Sequence, residues 1–304
     1  MMSLVFKSHG KLLLTGEYLV LKGAEALCIP TNFYQTLNVK KSKKSFLHWK
    51  SYNHSNNLWI EAKLNACDLK ILSEENKETF FLQKLLENAR KINPEFLNCE
   101  SGYNIESKMN FNKNWGLGSS STLINNISQW ADINPFNLLW SVSNGSGYDI
   151  ASSISNGPII YKLINNKPIY DLIEFKPVFH QNLFFVYMNK KKQSEDEVKY
   201  FNNNIKVDKK NIDTISSITN KMIKCENLES FKNLIFEHEK TLSKTLKKEM
   251  VKEIFFNDYR GEVKSLGAWG GDFILAAGPK DSKKYFEEKG FKTIFSFNDM
   301  LKNY

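Results

Sequence analysis

The chain has 304 residues, of which 41% are hydrophobic and 25% are charged, and its formal net charge is +9. This composition is that of a folded globular protein, and the length is sufficient for one large or two medium domains. No apolar run approaches the roughly 20 residues that cross a bilayer, and the first residues lack the pattern of a signal peptide, so we expect a cytoplasmic protein without a membrane partner.

The positive charge comes almost entirely from lysine, since Arg90 and Arg260 are the only arginines. Arginine is the residue favoured for bidentate contacts with phosphates and bases. We therefore interpret the charge as a solvated surface and expect no nucleic-acid partner. Four cysteines lie too far apart for a metal-ligand pair and are expected to be reduced thiols: Cys28, Cys67, Cys99 and Cys225.

Short apolar or alternating runs predict mainly strands in the first third of the chain. These strands cover residues 12–14, 18–21, 33–39, 46–49 and 58–62. A helix is predicted over residues 79–92, where apolar residues recur on one face and Asn93-Pro94 ends the pattern. A strand over residues 102–111 then leads into a loop rich in glycine and serine.

Two helices are predicted after this loop, and the second opens at Asn134-Pro135, a good cap followed by proline at the first helical position. A further helix is expected to start near Ile150. The run from Ile159 to Ile169 predicts a hairpin around Asn165-Asn166.

The second half begins with a predicted strand over residues 183–188 and a charged loop. Helices at 209–224 and 228–246, a strand at 273–277, a helix at 282–289 and a strand at 293–297 follow. Such an order predicts a split βαβ sheet with helices on one face, and an α+β fold class overall. We expect two domains, residues 1–176 and 177–304.

Three glycine-bearing segments stand out, far apart in the chain. They are His9–Tyr18 (HGKLLLTGEY), Asn114–Ser121 (NWGLGSSS) and Leu266–Asp272 (LGAWGGD). Glycine lets the backbone approach a ligand, and the N–H groups that open a helix bind anions. The middle segment leads into a helical pattern, so it predicts a phosphate cradle. The alternative interpretation is a helix N-terminus capped by its serines.

These segments, together with Gly145–Ser152 (GSGYDIAS), resemble the galactokinase–homoserine kinase–mevalonate kinase–phosphomevalonate kinase (GHMP kinase) superfamily over nearly the whole chain. The first segment is similar to the mevalonate and phosphomevalonate kinase branches, and Gly-Tyr-Asp-Ile-Ala is typical of a bacterial subgroup. The resemblance implies an N-terminal domain like domain 2 of ribosomal protein S5 and a ferredoxin-like C-terminal domain.

The resemblance also implies ATP and Mg²⁺ as cofactors and a small-molecule acceptor as partner. Asp149 would be the catalytic base and Lys11 would assist it by its charge; the alternatives are a helix cap and an exposed lysine. Ser120 matches the family's Mg²⁺-binding serine. The residues that would hold the nucleotide belong to the second and third segments: Gly116, Leu117, Gly118, Ser119, Ser120, Ser121, Gly267, Gly270 and Gly271.

Two departures from the family pattern bear on the site. Leu138 lies where mevalonate kinases have a metal-binding glutamate, which puts metal binding at that position in doubt. Glu17 and Glu106 are carboxylates on segments that lead to the site, but the sequence does not place either of them as a substitute. Trp269 lies where the family more often has a small residue, and it either packs at the domain junction or narrows the acceptor pocket.

The interpretation that accounts for most of these features is an ATP-dependent kinase acting on mevalonate or phosphomevalonate. A kinase for a sugar or another alcohol, a decarboxylase of the diphosphomevalonate type and a nucleotide-binding protein without catalysis are the alternatives, and a homodimer is left open. Lys190, Lys191 and Lys192 either bind an acceptor phosphate or form a solvated turn.

Overall fold

The structure is a computed structural model that describes residues 3–99, 101–190 and 194–301. In this described part, no helix is both long and apolar enough to cross a membrane. The chain forms two compact units built from interleaved segments. The first comprises Met1–Gly10, Phe33–Lys113 and Leu117–Ile154, and the second comprises Lys11–Asn32, Asn114–Gly116 and Ser155–Tyr304.

The described strands that contain residues of the first unit all belong to one sheet. The strands are β1 (Ser3–Leu13), β2 (Ala26–Ser42), β3 (Phe46–Tyr52), β4 (Leu58–Asn65) and β5 (Gly102–Met109). Their order is β4–β3–β5–β2, β1 also pairs with β2, and β3 runs parallel to β5. Burial alternates along β3, so one face of the sheet packs against a core.

Four helices complete the first unit: α1 (Lys77–Ile92), α2 (Ser119–Ala131), α3 (Pro135–Trp140) and α4 (Tyr148–Ile154). Asn76 and Thr79 form a reciprocal capping box at the start of α1. The side chain of Asn134 accepts from the N–H of Phe136 and caps α3, as Asn134-Pro135 predicts. The helix predicted near Ile150 is α4.

The second unit contains the predicted hairpin, formed by β6 (Ile159–Ile164) and β7 (Lys167–Leu172). Asn165 and Asn166 have φ of 49° and 60°, as both central residues of a type I′ turn require. Residues 26–28 of β2 pair with β6.

A second sheet belongs wholly to the second unit. Its strands are β8 (Leu183–Tyr187), β9 (Glu262–Leu266), β10 (Phe273–Ala277) and β11 (Ile294–Ser296), in the antiparallel order β11–β8–β10–β9. The helices are α5 (Ser194–Asn204), α6 (Lys209–Ile223), α7 (Leu228–Leu246), α8 (Val251–Phe255), α9 (Ser282–Glu288) and α10 (Phe297–Met300). This strand order is that of a ferredoxin-like sheet.

Two local predictions are wrong, and one strand was missed. Residues 18–21 are not a strand: Leu19–Lys22 form a 3₁₀ helix between Tyr18 and Gly23, which both have positive φ, and their apolar character reflects the burial of Leu19 and Val20. The charged loop contains helix α5, which buries Phe201. Strand β9 was not predicted, because a buried lysine interrupts its apolar pattern. The domain boundary between Lys176 and Pro177 stays a prediction.

Candidate functional site

The second glycine segment opens helix α2 through two glycines with positive φ, Gly116 at 66° and Gly118 at 88°. Gly118 is the N-cap, and its position offers no side chain to the first turn. N–H groups of a first helical turn have no carbonyl partner within the helix, and the helix dipole favours negative charge there. Ser119 is half-buried and Ser120 is exposed at this turn. The local geometry therefore suits an anion.

The next two side chains hold the loop instead of facing a ligand. Ser121 is buried, and its hydroxyl donates to the carbonyl of Gly118 at 2.9 Å. Thr122 donates to the side chain of Gln35 at 2.5 Å, and Gln35 in turn donates to Ser107 at 2.6 Å. The start of α2 is thus tied to β2 and β5. The sequence analysis predicts a nucleotide contact for all three serines, and the structure separates buried Ser121 from half-buried Ser119 and exposed Ser120.

Asp149 lies half-buried in the first turn of α4, where a carboxylate is favoured by the helix dipole. Gly147, with φ of 86°, provides the turn before the helix. Helix α4 packs against α2, and the side chain of Asn125 donates to the carbonyl of Ile150 at 3.4 Å. The structure therefore places Asp149 at the start of a helix anchored on the helix that carries Ser120.

Lys11 lies on β1, and its Nζ donates to the carbonyl of Gly116 at 3.1 Å. A small cavity of about 10 Å³ is lined by residues that include Lys11, Gly116, Gly267 and Asp272. The second unit therefore brings residues of all three glycine segments together around one recess.

The third glycine segment is the connection between β9 and β10. Gly267 and Gly270 have φ of 74° and 73°, and the N–H of Gly271 donates to the carbonyl of Ala268 at 3.0 Å. Trp269 is buried, and its Nε1 donates to the carbonyl of Glu249 at 3.0 Å. This tryptophan is therefore packed inside the second unit.

Asp272 ends the third segment, and no role was predicted for it. It is buried, with φ of 50°, and its main chain is held by hydrogen bonds with Met188 and Lys190. A Cβ atom at Gly116 would overlap the carboxylate of Asp272, so the close approach requires glycine at position 116. A Gly-Gly-Asp ending before an apolar strand is the only sequence signal that could have drawn attention to it.

A resident metal has few protein ligands here. Leu138 is fully buried, and Glu17 is buried with its Oε1 2.5 Å from Lys264 Nζ, so neither faces a nucleotide. Glu106 lies 3.4 Å from Lys108 on β5. In the described ranges no three acidic, histidine or cysteine side chains are grouped to hold a metal ion. The exposed hydroxyl of Ser120 fits a Mg²⁺ ion that the phosphates of a nucleotide mainly hold.

A buried cluster of ionisable side chains in the second unit was also missed. It consists of Glu17, His238, Glu239 and Lys264, each at most 2% exposed. Burial raises the pKa of Glu239 to about 7, against the opposing charge of Lys264. Burial also raises the pKa of Glu17, and burial together with the charge of Lys264 holds the pKa of His238 well below its usual value. The Nε2 of His238 accepts from the N–H of Gly16 at 3.1 Å.

Two remaining features lie apart from these segments. A larger cavity of about 550 Å³ in the second unit is lined by residues such as Phe175, His180 and Phe297, and none of the predicted site residues is part of its lining. In the lysine run after β8, Lys190 is exposed, and Lys191 and Lys192 lie outside the described residues.

Comparison with solved structures identifies the fold. No protein-family model and no curated protein matches the chain. Among solved structures, mevalonate kinase from Methanococcus jannaschii matches with a TM-score of 0.68 and 18% identity, over 97% of each chain. Phosphomevalonate kinase from Streptococcus pneumoniae, in complex with phosphomevalonate and AMPPNP, matches with a TM-score of 0.69 and 15% identity, over 96% of this chain and 99% of that one.

The chain has the GHMP kinase fold. Galactokinase from Lactococcus lactis, complexed with galactose, shares it with a TM-score of 0.63 and 12% identity, over 98% of this chain and 93% of that one. The predicted α+β class and two-domain GHMP kinase fold are therefore confirmed. At these identities the likeness concerns the fold alone.

Proposed function

We propose that this protein is an ATP-dependent phosphotransferase of the GHMP kinase type that phosphorylates a small molecule, mevalonate or phosphomevalonate. The observation that carries the proposal is the start of α2. A left-handed glycine opens the helix, no side chain caps its first turn, and the exposed hydroxyl of Ser120 stands beside it. In a chain with the GHMP kinase fold, this turn suits the phosphates of a nucleotide.

In the proposed mechanism, the N–H groups of Ser119, Ser120 and Ser121 bind phosphate oxygens of ATP. Gly118 lets the phosphates come close to the main chain. A bound Mg²⁺ would neutralise negative charge on the phosphates during transfer, and Ser120 would contribute one oxygen ligand to it.

Asp149 would accept the proton of the acceptor oxygen as the new bond to phosphorus forms, a role that requires position more than basicity. Lys11 would stabilise negative charge on the attacking oxygen. Gly267, Gly270 and Gly271 would contact the nucleotide through their main chain. Each assignment is made residue by residue from the matching segments.

The acceptor is assigned from the first glycine segment and supported by the likeness to mevalonate and phosphomevalonate kinases. One observation favours a second candidate, a nucleotide-binding protein without catalysis. Leu138 is fully buried, so the position of the family's second metal ligand cannot serve a metal. Retention of both Lys11 and Asp149 favours the kinase.

An ADP-release assay with ATP and Mg²⁺ tests the proposal, with mevalonate, phosphomevalonate, homoserine and galactose as acceptors. We expect acceptor-dependent ADP release with one of the first two. Release only with galactose or homoserine would retain the phosphotransferase and change its acceptor. Nucleotide binding without ADP release for any acceptor would favour the non-catalytic alternative.

A further inference from the structure

Four buried side chains bring three parts of the second unit together. Glu17 comes from the segment that follows β1, His238 and Glu239 lie on α7, and Lys264 lies on β9. The Nζ of Lys264 lies 2.5 Å from Glu17 Oε1 and 3.6 Å from Glu239 Oε1. The N–H of Gly16 donates to His238 Nε2 at 3.1 Å. No member of this cluster has a role in the proposed mechanism.

The cluster connects to the third glycine segment through Ser265. The N–H of Ser265 donates to Glu239 Oε2 at 3.0 Å, and its carbonyl accepts from Lys264 Nζ at 3.0 Å. Its hydroxyl accepts from the N–H of Gly270 at 2.9 Å. All three polar groups of Ser265 are thus engaged, two by the cluster and one by the glycine loop.

A second anchor comes from the residue beside Glu17. Tyr18 has φ of 61°, and its hydroxyl accepts from the N–H of Trp269 at 2.9 Å. Gly16 also has positive φ, and a Cβ atom there would press on Ala26. The Gly-Glu-Tyr triplet of the first segment therefore faces inward, where it holds β9 and the loop after it.

The charges in the cluster balance when one carboxyl group carries a proton. An unpaired buried charge is strongly destabilising, whereas the attraction within a close ion pair that has further hydrogen bonds opposes the cost of its desolvation. Glu17 is the closer carboxylate to Lys264 and is the ionised partner. Glu239, with its pKa raised to about 7, is the group that takes up a proton near neutral pH. His238 accepts from Gly16 and is neutral.

We propose that Lys264, paired with Glu17 and braced by Glu239, positions the loop that carries Gly267, Gly270 and Gly271 for nucleotide binding. These are positioning residues, since they act through Ser265 and the loop. The inference rests on the proposed function in one respect, that this loop contacts the nucleotide. It predicts that breaking the pair lowers the fraction of molecules whose loop is in its binding conformation.

The test uses Lys264→Met and Glu17→Gln in the full chain. Lys252→Met is the matched control, because it breaks the 2.6 Å Lys252–Glu262 ion pair at the other end of β9. Two quantities are measured: the Kd of a non-hydrolysable ATP analogue, and amide hydrogen exchange at Trp269 and Gly270. Apparent affinity falls in proportion to the binding-competent fraction, so we expect roughly tenfold or greater weakening of the Kd. Exchange at Gly270 should accelerate, with kcat at saturating ATP less affected.

Two further variants separate positioning from simple loss of stability. Lys264→Met/Glu17→Met removes both charges together, which often restores stability at a buried ion pair. This folded variant should still bind the analogue weakly. Glu239→Leu should also weaken binding, and Glu239→Gln should recover most of it, because glutamine is neutral and can still accept from the N–H of Ser265.

An unchanged Kd and unchanged exchange at Gly270 in the folded double variant would overturn the inference. Equal effects of Lys252→Met would do the same, since they would show a general weakening of β9. If the wild-type protein bound no ATP analogue, the proposed function would fail. Exchange at Trp269 and Gly270 would still decide whether the cluster holds the loop.

Discussion

Ser120 and Ser121 are neighbours in the first turn of α2, and their side chains have different surroundings. The hydroxyl of Ser121 is buried and donates to the carbonyl of Gly118, whereas Ser120 is exposed. Of these two hydroxyls, that of Ser120 would be the one open to a Mg²⁺ ion held by nucleotide phosphates. The proposed binding role therefore belongs to Ser120, and a structural role belongs to Ser121.

We expect Ser120→Ala to raise the Mg²⁺ concentration needed for half-maximal activity while the melting temperature stays close to wild type. Ser121→Ala is the matched control. Loss of its buried hydrogen bond should lower the free energy of unfolding by about 1 kcal/mol. Mg²⁺ titrations of activity and urea unfolding of both variants check these outcomes. An unchanged Mg²⁺ titration for Ser120→Ala would remove Ser120 from the metal site.

Asp149 allows a second test at the same scale. As the proposed base it should be needed for turnover and not for nucleotide binding, so Asp149→Asn should reduce kcat by roughly 10²-fold or more. Its Kd for the ATP analogue should be nearly unchanged. Near-normal turnover with saturating acceptor would identify Asp149 as a helix cap.

At the scale of the elements, the sequence was most informative where one face of a helix or strand is buried. The bounds of α7 and β10 agree with the apolar pattern. Helix α7 buries one apolar face, and every residue of β10 is buried. Strand β9 was missed because Lys264, a buried charge, has a partner 247 positions away, in Glu17. No local pattern can reveal such a partner.

The backbone of the glycine segments was predictable to a similar degree. Glycines with positive φ and serines before a helix are local signals, and positions 116, 118, 267 and 270 all have that backbone conformation. What the sequence could not supply is which serine faces solvent, or that Glu17 and Tyr18 face inward. Both depend on packing between distant segments.

Helix α7 carries a pair of residues with opposite effects of pH on stability. The pKa of His238 is depressed in the folded state, so its contribution is present above its unfolded value of 6.5 and is lost as pH falls. The pKa of Glu239 is raised from 4.5 to about 7, so its contribution is present at low pH and is lost as pH rises towards 7. Between pH 5 and 6.5 the two effects therefore have opposite signs and offset each other.

Single substitutions should expose each effect. In Glu239→Gln only His238 remains, so the free energy of unfolding should rise with pH between 5 and 6.5, with a limiting slope of about 1.4 kcal/mol per pH unit. In His238→Gln the slope should have the opposite sign and a similar size. Other groups, including Glu17, are common to both variants. Denaturant unfolding at pH 5, 5.75 and 6.5 measures the slopes. Because the other groups change both slopes alike, equal slopes in the two variants would contradict the assignment.

At the scale of the whole molecule, the net charge of +9 attracts anionic substrates regardless of where they bind. This long-range attraction is screened by salt. It acts on both mevalonate and phosphomevalonate, and it is stronger for phosphomevalonate, which carries more negative charge. A local phosphate site would act on phosphomevalonate in addition. Separating the two requires variants that change net charge equally at different places.

Two variants that each lack three lysines make that separation. Lys190 is exposed, and its carbonyl accepts from the N–H of Asp272, which ends the third glycine segment. Replacing Lys190, Lys191 and Lys192 by glutamine removes the three charges of the lysine run. Replacing the exposed Lys40, Lys41 and Lys43 removes three charges in the first unit.

If the lysine run binds an acceptor phosphate, the first variant should raise the KM for phosphomevalonate well beyond the second, because charge-assisted hydrogen bonds are lost as well as net charge. Its KM should also depend less on salt between 50 and 300 mM, conditions that span strong and weak screening of exposed charges. Equal changes in both variants would reduce the lysine run to a solvated turn. The preference between acceptors would then have to come from uncharged parts of the pocket, and mevalonate would become the favoured substrate.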